Sequence, residues 1–182
     1  AVYAPDSINE YLINFIQRHK DRPFLVYYPM LLAHDPHTFT PFNREKKPEG
    51  KTALYAGNVT YVDHLVGRLV AAVDKLGLKN KTMIVFTGDN GSAVSGTLNG
   101  EVYPKGKGGE ADWGAHVPFI VRAPFLNKGD VVSRDLIDFT DLYPTFLDLA
   151  GIAPPENLKL DGKSFVPSLR GSEDPYEKRS WV

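Results

Sequence analysis

The stretch from residue 82 to residue 124, "TMIVFTGDNGSAVSGTLNGEVYPKGKGGEADWGAHVPFIVRAP", is the part of the sequence that decides the fold. It holds two apolar runs, 83–86 and 117–121, whose composition is typical of buried β-strands. An Asp-Asn-Gly triplet follows the first run directly, and a polar loop with Lys107 between glycines leads to the second. The stretch therefore predicts two strands joined by a long polar connection that begins with an acidic residue.

Apolar runs alternate with helical patterns on both sides of this stretch. The run 22–30 predicts a further buried strand, closed by Pro29. Apolar residues at helical spacing predict a long helix over 53–76, with Gly77 at its end. Two more helices are predicted from residues that suit helix N-termini, namely Asp6 or Ser7, and Thr140 or Asp141. Buried strands that alternate with helices predict an α/β fold with a mostly parallel sheet flanked by helices.

The composition is that of one ordinary globular domain. A chain of 182 residues, 42% apolar and 24% charged, can bury a core and is neither disordered nor a membrane composition. The net charge of -1 argues against a nucleic-acid partner, and no apolar run approaches the roughly 20 residues that cross a bilayer. Without cysteine, the chain has no disulfide, no thiolate nucleophile and no cysteine metal site. Its first residues lack the pattern of a signal peptide.

Polar side chains follow two of the predicted strands, where ligands bind in open α/β sheets. Asp89 and Asn90 offer hard oxygen ligands for Ca²⁺ or Mg²⁺. The alternative is that Asp-Asn-Gly only forms an Asx-turn at the end of the strand and binds no ion. The glycines around Lys107 suit an anion site, and the alternative is a mobile surface loop. His34 and His37 flank an Asp-Pro pair after a strand end, which suits an acid, a base or an anion ligand.

Two common motifs are excluded by spacing. The phosphate-binding loop of nucleotide enzymes needs four residues between its glycine and Gly-Lys and then Ser or Thr, whereas five residues separate Gly100 from Gly106 and a glycine follows the lysine. No serine lies in a Gly-x-Ser-x-Gly elbow, so the sequence does not predict a serine hydrolase.

Taken together, the segments resemble the sulfatase family, within the alkaline-phosphatase-like superfamily. Four segments carry the resemblance in the family's order: "PFLVYYPMLLAHDPH", "YAGNVTYVDHLVGRLVAAVDKLGLKNKTMIVFTGDNG", "GKGGEADWGAHVPFIVRAP" and "DLYPTFLDLAGIAPPENLKLDGKSFVPSLRG". They cover most of the chain. One such match would be unspecific, but four in order are highly specific to the family.

The resemblance implies roles for matching residues. It implies that Asp89 and Asn90 coordinate a divalent cation, Ca²⁺ rather than Mg²⁺, because phosphatase-like relatives carry histidine where this chain has Asn90. It implies that Lys107 binds the sulfate and its leaving oxygen, and that His34 contacts the sulfate or leaving group as a general acid. One departure is Trp113, which stands where relatives usually have glycine.

The family nucleophile is a formylglycine made from Cys or Ser in a Cys/Ser-x-Pro/Ala-x-Arg motif, and this chain has no such motif. The resemblance therefore implies that residues 1–182 are a partial sulfatase catalytic domain, without the nucleophile region and the carboxyl-terminal subdomain. Alone, the chain is expected to be inactive or nearly so. Two alternatives stay open: a phosphodiesterase or phosphonate hydrolase of the same superfamily, and a truncated protein that only binds its ligand.

Expected partners follow from the same resemblance. They are a sulfated small molecule or a sulfated glycan, with no nucleic acid and no membrane. Self-association through an exposed sheet edge is also expected. The family implies a periplasmic, secreted or lysosomal location.

Overall fold

The computed structural model describes residues 2–127 and 129–171. Contacts between backbone segments divide the chain into two compact units, Ala1–Val121 and Arg122–Val182. Helices and short strands alternate through the first unit, and the second is helical and irregular. Within the described residues, no helix has the length and apolar character needed to cross a membrane.

Two helices form the frame of the first unit. Helix α1 spans Ala4–His19 and helix α2 spans Lys51–Lys75, the second within two residues of its predicted bounds. The prediction of Asp6 or Ser7 as the N-cap of α1 is wrong, because Tyr3 holds that position and both residues lie in the first turn of the helix. The amide of Asn9 donates to the carbonyl oxygen of Leu65 over 2.9 Å, and both residues are fully buried between the helices. A small apolar core lies toward their carboxyl ends, built on the buried residues Ile16, Val73 and Leu78. Gly77, with φ of 72°, turns the chain at the end of α2 as predicted.

Strand β1, Ile84–Thr87, follows this turn and pairs with strand β4, Phe119–Arg122. Both predicted strands are therefore present, but β1 is half-buried rather than buried. The polar connection between them contains strand β2, Gly96–Leu98, antiparallel to strand β3, Glu101–Tyr103. It also contains the short helix α3, Asp112–Ala115.

The prediction of a buried strand over residues 22–30 is wrong for this structure. The segment is extended and its side chains alternate in exposure, but it belongs to no sheet. Leu25 is 72% exposed and Tyr27 is 87% exposed, because no neighbouring strand or helix covers that face. An apolar run predicts extended backbone, whereas a strand also needs a partner for its hydrogen bonds.

The second unit is organised by a helix that begins where the sequence predicts it. Asp141, one of the two predicted N-cap residues, directly precedes helix α4, although its side chain makes no capping hydrogen bond to that helix. The side-chain cap lies one turn earlier, where the Asp138 carboxylate accepts from the Thr140 amide and Asp141 accepts from the Asp138 amide. This capping box begins a single 3₁₀ turn, Phe139–Asp141, that continues into helix α4, Leu142–Ala150. Gly151 ends α4 in the left-handed conformation. Helix α5 spans Val166–Leu169.

Candidate functional site

Three loop segments of the first unit converge beyond the end of β1. The amide of Gly91 donates to the carbonyl oxygen of Gly114 over 2.9 Å. The amides of Gly106 and Lys107 both donate to the carbonyl oxygen of Ser92, each over 3.0 Å. These bonds join the Asp-Asn-Gly loop to the lysine loop and to α3. The residues predicted to hold a cation and an anion therefore lie on adjoining segments of backbone.

Glycine is required at this convergence by close backbone approach. A Cβ atom on Gly91 or on Gly106 would overlap the carbonyl oxygen of Trp113, and one on Gly114 would overlap the carbonyl oxygen of Gly109. Gly106 is buried. The sequence pattern around Lys107 suggests freedom for an anion to approach the backbone. In the structure, Gly106 is instead packed against the Trp113 backbone. The lysine loop is also held by the hydrogen bonds from the Gly106 and Lys107 amides to Ser92.

Asp89 and Asn90 have the donor chemistry of part of a Ca²⁺ site. Asp89 is exposed and Asn90 is half-buried. The Asn90 amide nitrogen donates to the carbonyl oxygen of Gly91 over 3.3 Å, so its side-chain oxygen is the atom directed away from this contact. Ca²⁺ takes about six to eight oxygen ligands. The part of the chain that the structure describes has no group of three or more His, Cys, Asp or Glu side chains placed to hold a metal ion, so these two residues fit a partial ligand shell only.

His34 lies on an exposed turn with its ring orientation fixed by the backbone. Its Nδ1 atom donates to the carbonyl oxygen of Asp35 over 2.7 Å, and its amide donates to the carbonyl oxygen of Leu31 over 2.9 Å. Since a carbonyl oxygen can only accept, Nδ1 carries the proton. Nε2 is then the atom that His34 presents to a ligand.

Asp35 anchors this turn to the amino end of α2. The Lys51 ammonium donates to Asp35 Oδ2 over 2.8 Å, and this bond holds the pKa of the carboxyl group below its usual value. His37 Nε2 lies 3.2 Å from Asp35 Oδ1 without the geometry of a hydrogen bond, so the contact is an ion pair only when the imidazole is protonated. The His37 side chain is 2% exposed and packs edge-on against the Tyr55 ring. His37 is therefore a packed residue, and His34 is the histidine available to a ligand.

The structure brings together three of the four predicted site residues. Asp89, Asn90 and Lys107 share the glycine-packed convergence. Within the described residues, no hydrogen bond or ion pair joins His34 to any of them. The His34 turn is held to α2 instead, also through the Asn58 amide, which donates to the carbonyl oxygen of Thr38 over 2.7 Å.

Sequence reasoning missed the hairpin inside the polar connection. Asn99 and Gly100 have φ angles of 52° and 85°, which is the type I′ turn that joins β2 to β3. The signal was present, because Asn-Gly between short β-prone runs is a strong hairpin pattern. Residues 96–103 of the connection therefore form a hairpin. The segments before and after the hairpin are joined by the hydrogen bond from the Lys107 amide to the carbonyl oxygen of Ser92.

Comparison with known families identifies the chain. The family model described as Sulfatase matches residues 3–152. The chain belongs to the sulfatase family. Among curated sulfatases, it is 34% identical over 170 residues to arylsulfatase D from Homo sapiens, covering 88% of this chain and 28% of that protein. It is 35% identical over 173 residues to the steryl-sulfatase of Mus musculus, covering 90% of this chain and 27% of that one.

Solved structures of other proteins have the same fold. The crystal structure of Ps i-CgsB in complex with k-i-k-neocarrahexaose has a TM-score of 0.75 and 31% identity, covering 91% of this chain and 38% of that one. BT4656 in complex with its substrate D-glucosamine-2-N,6-O-disulfate has a TM-score of 0.56 and 28% identity, covering 76% and 29%. These likenesses confirm the predicted α/β class. The chain spans little more than a quarter of the length of the two curated sulfatases.

Proposed function

We propose that this chain contributes part of the active site of an enzyme that hydrolyses sulfate esters. The observation that carries the proposal is the pair of hydrogen bonds from the amides of Gly106 and Lys107 to Ser92, which holds the lysine beside the Asp89–Asn90 loop. A cation ligand pair and an ammonium group on adjoining segments suit an ester that carries a negative charge. Membership of the sulfatase family supports a sulfate as that ester.

Each predicted residue has a task in this proposal. Asp89 and Asn90 would hold part of the shell of a Ca²⁺ ion, which when bound supplies charge stabilisation to the ester oxygens. The Lys107 ammonium would bind the sulfate and stabilise charge on the leaving oxygen as the S–O bond breaks. His34 would donate a proton from Nε2 to that oxygen, in which case both of its ring nitrogens are protonated beforehand.

The nucleophile of the reaction is not among these four residues. The family generally uses a formylglycine, and no Cys or Ser of this chain lies in the motif that gives rise to it. We therefore propose that residues 1–182 on their own bind Ca²⁺ and sulfate weakly and turn over little or no ester. The family also supports a periplasmic, secreted or lysosomal location as a prediction.

A sulfated compound is the proposed substrate class. BT4656 is bound to a disulfated sugar that its description calls its substrate, and Ps i-CgsB is bound to an oligosaccharide. The chain is similar to both, and this supports a sulfated sugar. A phosphodiester or phosphonate is the alternative substrate that the experiment separates from it.

The first test is binding to the 182-residue chain, measured by titration calorimetry. We expect Asp89→Ala to remove Ca²⁺ binding and Lys107→Ala to weaken the binding of inorganic sulfate in the presence of Ca²⁺. Asp63→Ala and Lys79→Ala are matched controls, because both residues are exposed and lie away from the three loops. If Asp63→Ala lost as much Ca²⁺ affinity as Asp89→Ala, or Lys79→Ala as much sulfate affinity as Lys107→Ala, the assignment would be overturned.

The second test is hydrolysis by the protein as its gene encodes it. With Ca²⁺, 4-nitrophenyl sulfate should be hydrolysed faster than 4-nitrophenyl phosphate. Asp89→Ala and Lys107→Ala should each lower kcat/KM by at least about a hundredfold, the scale of losing one charge-stabilising group. A preference for the phosphate ester would favour the phosphodiesterase alternative, and binding without turnover would favour the binding protein.

A further inference from the structure

Trp113 is fixed at the centre of the candidate site by its own backbone. It lies in the four-residue helix α3, and its carbonyl oxygen is packed against Gly91 and Gly106 so closely that neither could carry a side chain. Those glycines are the direct neighbours of Asn90 and Lys107. The position of the Trp113 backbone is therefore coupled to the positions of both predicted ligand groups.

The side chain of Trp113 is nevertheless partly open to solvent. It is 47% exposed, and none of the ring contacts among the described residues involves it. A single exposed apolar side chain needs no explanation on an arbitrary surface. Here the side chain stands on a rigid segment beside a proposed anion site. An aromatic side chain on a packed backbone is an effective anchor for a ligand, because only its two χ angles remain to be ordered and little conformational entropy is lost.

The residues next to Trp113 in the chain are polar and exposed. The neighbouring Asp112 and His116 side chains are 84% and 78% exposed, and Oδ2 of the first lies 3.6 Å from Nδ1 of the second. Glu110 is also exposed, on the segment that leads into α3. Carboxylates and imidazole can exchange hydrogen bonds with hydroxyl groups around the rim of the ring. A sterol or another broad apolar group would instead need a continuous apolar surface, which these charged side chains interrupt.

We propose that Trp113 is a specificity-determining residue that stacks against the sugar ring carrying the sulfate ester, so that the site takes sulfated carbohydrates. The inference rests on the proposed function and names its substrate class. The C–H face of a pyranose meets the negative face of the indole, while Asp112, His116 and Glu110 are placed to bind its hydroxyl groups. The sulfate is left to Lys107 and the cation. Trp113 then contributes to affinity and substrate choice, and it takes no part in proton transfer.

The test is calorimetric titration of the protein with Ca²⁺ and three probes: N-acetylglucosamine 6-sulfate, unsulfated N-acetylglucosamine and inorganic sulfate. Trp113→Ala should weaken the binding of the sulfated sugar by about tenfold, the scale of losing one aromatic contact, and leave inorganic sulfate unchanged. Trp113→Phe keeps a ring and should recover most of the affinity. Tyr11→Ala is the matched control, since Tyr11 is an exposed aromatic residue, 62% accessible, on α1.

Indole emission provides a second readout of the same contact. The chain has two tryptophans, so Trp181→Phe leaves Trp113 as the single reporter. Saturable quenching or a spectral shift with the sulfated sugar, and none with inorganic sulfate, is the expected result. An emission spectrum unchanged at saturating sugar would contradict direct stacking.

The outcomes separate this inference from the function on which it rests. If Lys107→Ala weakens the binding of the sulfated sugar while Trp113→Ala does not, the stacking role is wrong and the sulfatase site stands. If neither the sulfated sugar nor inorganic sulfate binds the parent protein, the proposed function itself fails. If Trp113→Ala weakens the binding of inorganic sulfate as much as it weakens the binding of the sulfated sugar, the substitution has disturbed the loops. The specificity role is then overturned.

Discussion

At the scale of single residues, packed glycines hold together the backbone that carries the candidate site. Gly91, Gly106 and Gly114 let three backbone segments approach to distances that any side chain would prevent. The sequence predicts the chemistry of Asp89, Asn90 and Lys107 because carboxylate, amide and ammonium groups have the same ligand preferences in any fold. It does not predict what the glycines do, since a glycine that is flexible and a glycine that is tightly packed look identical in a sequence.

Gly106→Ala tests this packing. The added Cβ would meet the carbonyl backbone of Trp113, which cannot move without shifting α3, so we expect the free energy of unfolding to fall by about 2 kcal/mol, as for overpacking. Ca²⁺ and sulfate binding should weaken in the same variant. Chemical denaturation and calorimetry measure the two effects.

Gly96→Ala is the matched control for this substitution. No atom lies within 4 Å of a Cβ at that position, in β2. Its free energy of unfolding should stay within about 0.5 kcal/mol of the parent, as for an ordinary surface substitution. Equal destabilisation by the two substitutions would show that the convergence is not tightly packed.

At the scale of elements, the two long helices agree with the sequence while their polar contacts do not follow from it. Apolar periodicity predicts α1 and α2 to within a few residues. Their interface also contains a hydrogen bond, in which the Tyr61 hydroxyl donates to the Asp6 carboxylate over 2.6 Å. Burial, with this bond as a further cause, raises the pKa of Tyr61 to about 12. These two residues are far apart in the chain, so only the packed helices reveal the pair.

The raised pKa of Tyr61 predicts a loss of stability in alkali. Below pH 10 the phenol is protonated in both states, and its contribution is complete. Between pH 10, where the unfolded residue ionises, and about pH 12, the folded state retains the proton that the unfolded state loses. The free energy of unfolding should therefore fall with rising pH, by about 2 kcal/mol over this window.

Denaturation curves of the parent and of Tyr61→Phe at a series of pH values measure this contribution. The alkaline slope should be smaller in the variant, whatever its stability at neutral pH. Tyr11→Phe, at an exposed position on α1, should retain the parent slope. The same slope in Tyr61→Phe and the parent would contradict the assignment of the raised pKa to this residue.

At the scale of the whole molecule, apolar surface lies open along the segment 23–31. Leu25, Tyr27 and Leu31 are 72%, 87% and 67% exposed, at alternate positions of extended backbone that belongs to no sheet. Extended segments with open hydrogen-bonding groups and apolar side chains invite pairing with another chain. Self-association through an exposed edge stays a prediction, and the segment 23–31 is the edge that we expect to mediate it.

Sedimentation velocity over a range of protein concentrations tests this prediction. The parent chain should form dimers or larger species as its concentration rises, and Leu25→Lys with Tyr27→Lys should shift it toward the monomer. Val132→Lys is the control, because Val132 is 91% exposed and lies outside this segment. A parent chain that stays monomeric at every concentration would rule the interaction out.

The sequence by itself determined the position of the main helices and of the two strands β1 and β4, the family, and the chemical identity of the candidate site residues. Periodicity and residue type are local properties, so α1, α2, β1 and β4 could be predicted without knowing what packs against them. The order of the four motifs was specific enough to identify a sulfatase, and the family comparison confirmed it.

Only the tertiary structure decided which of these local features meet. It showed that the segment 23–31 has no strand partner, that His34 rather than His37 is accessible, and that Trp113 stands at the convergence of the loops. Hydrogen-bond partners, burial and close backbone approach all join residues that are distant in the chain. They arise from packing between distant segments, so no single stretch of sequence predicts them.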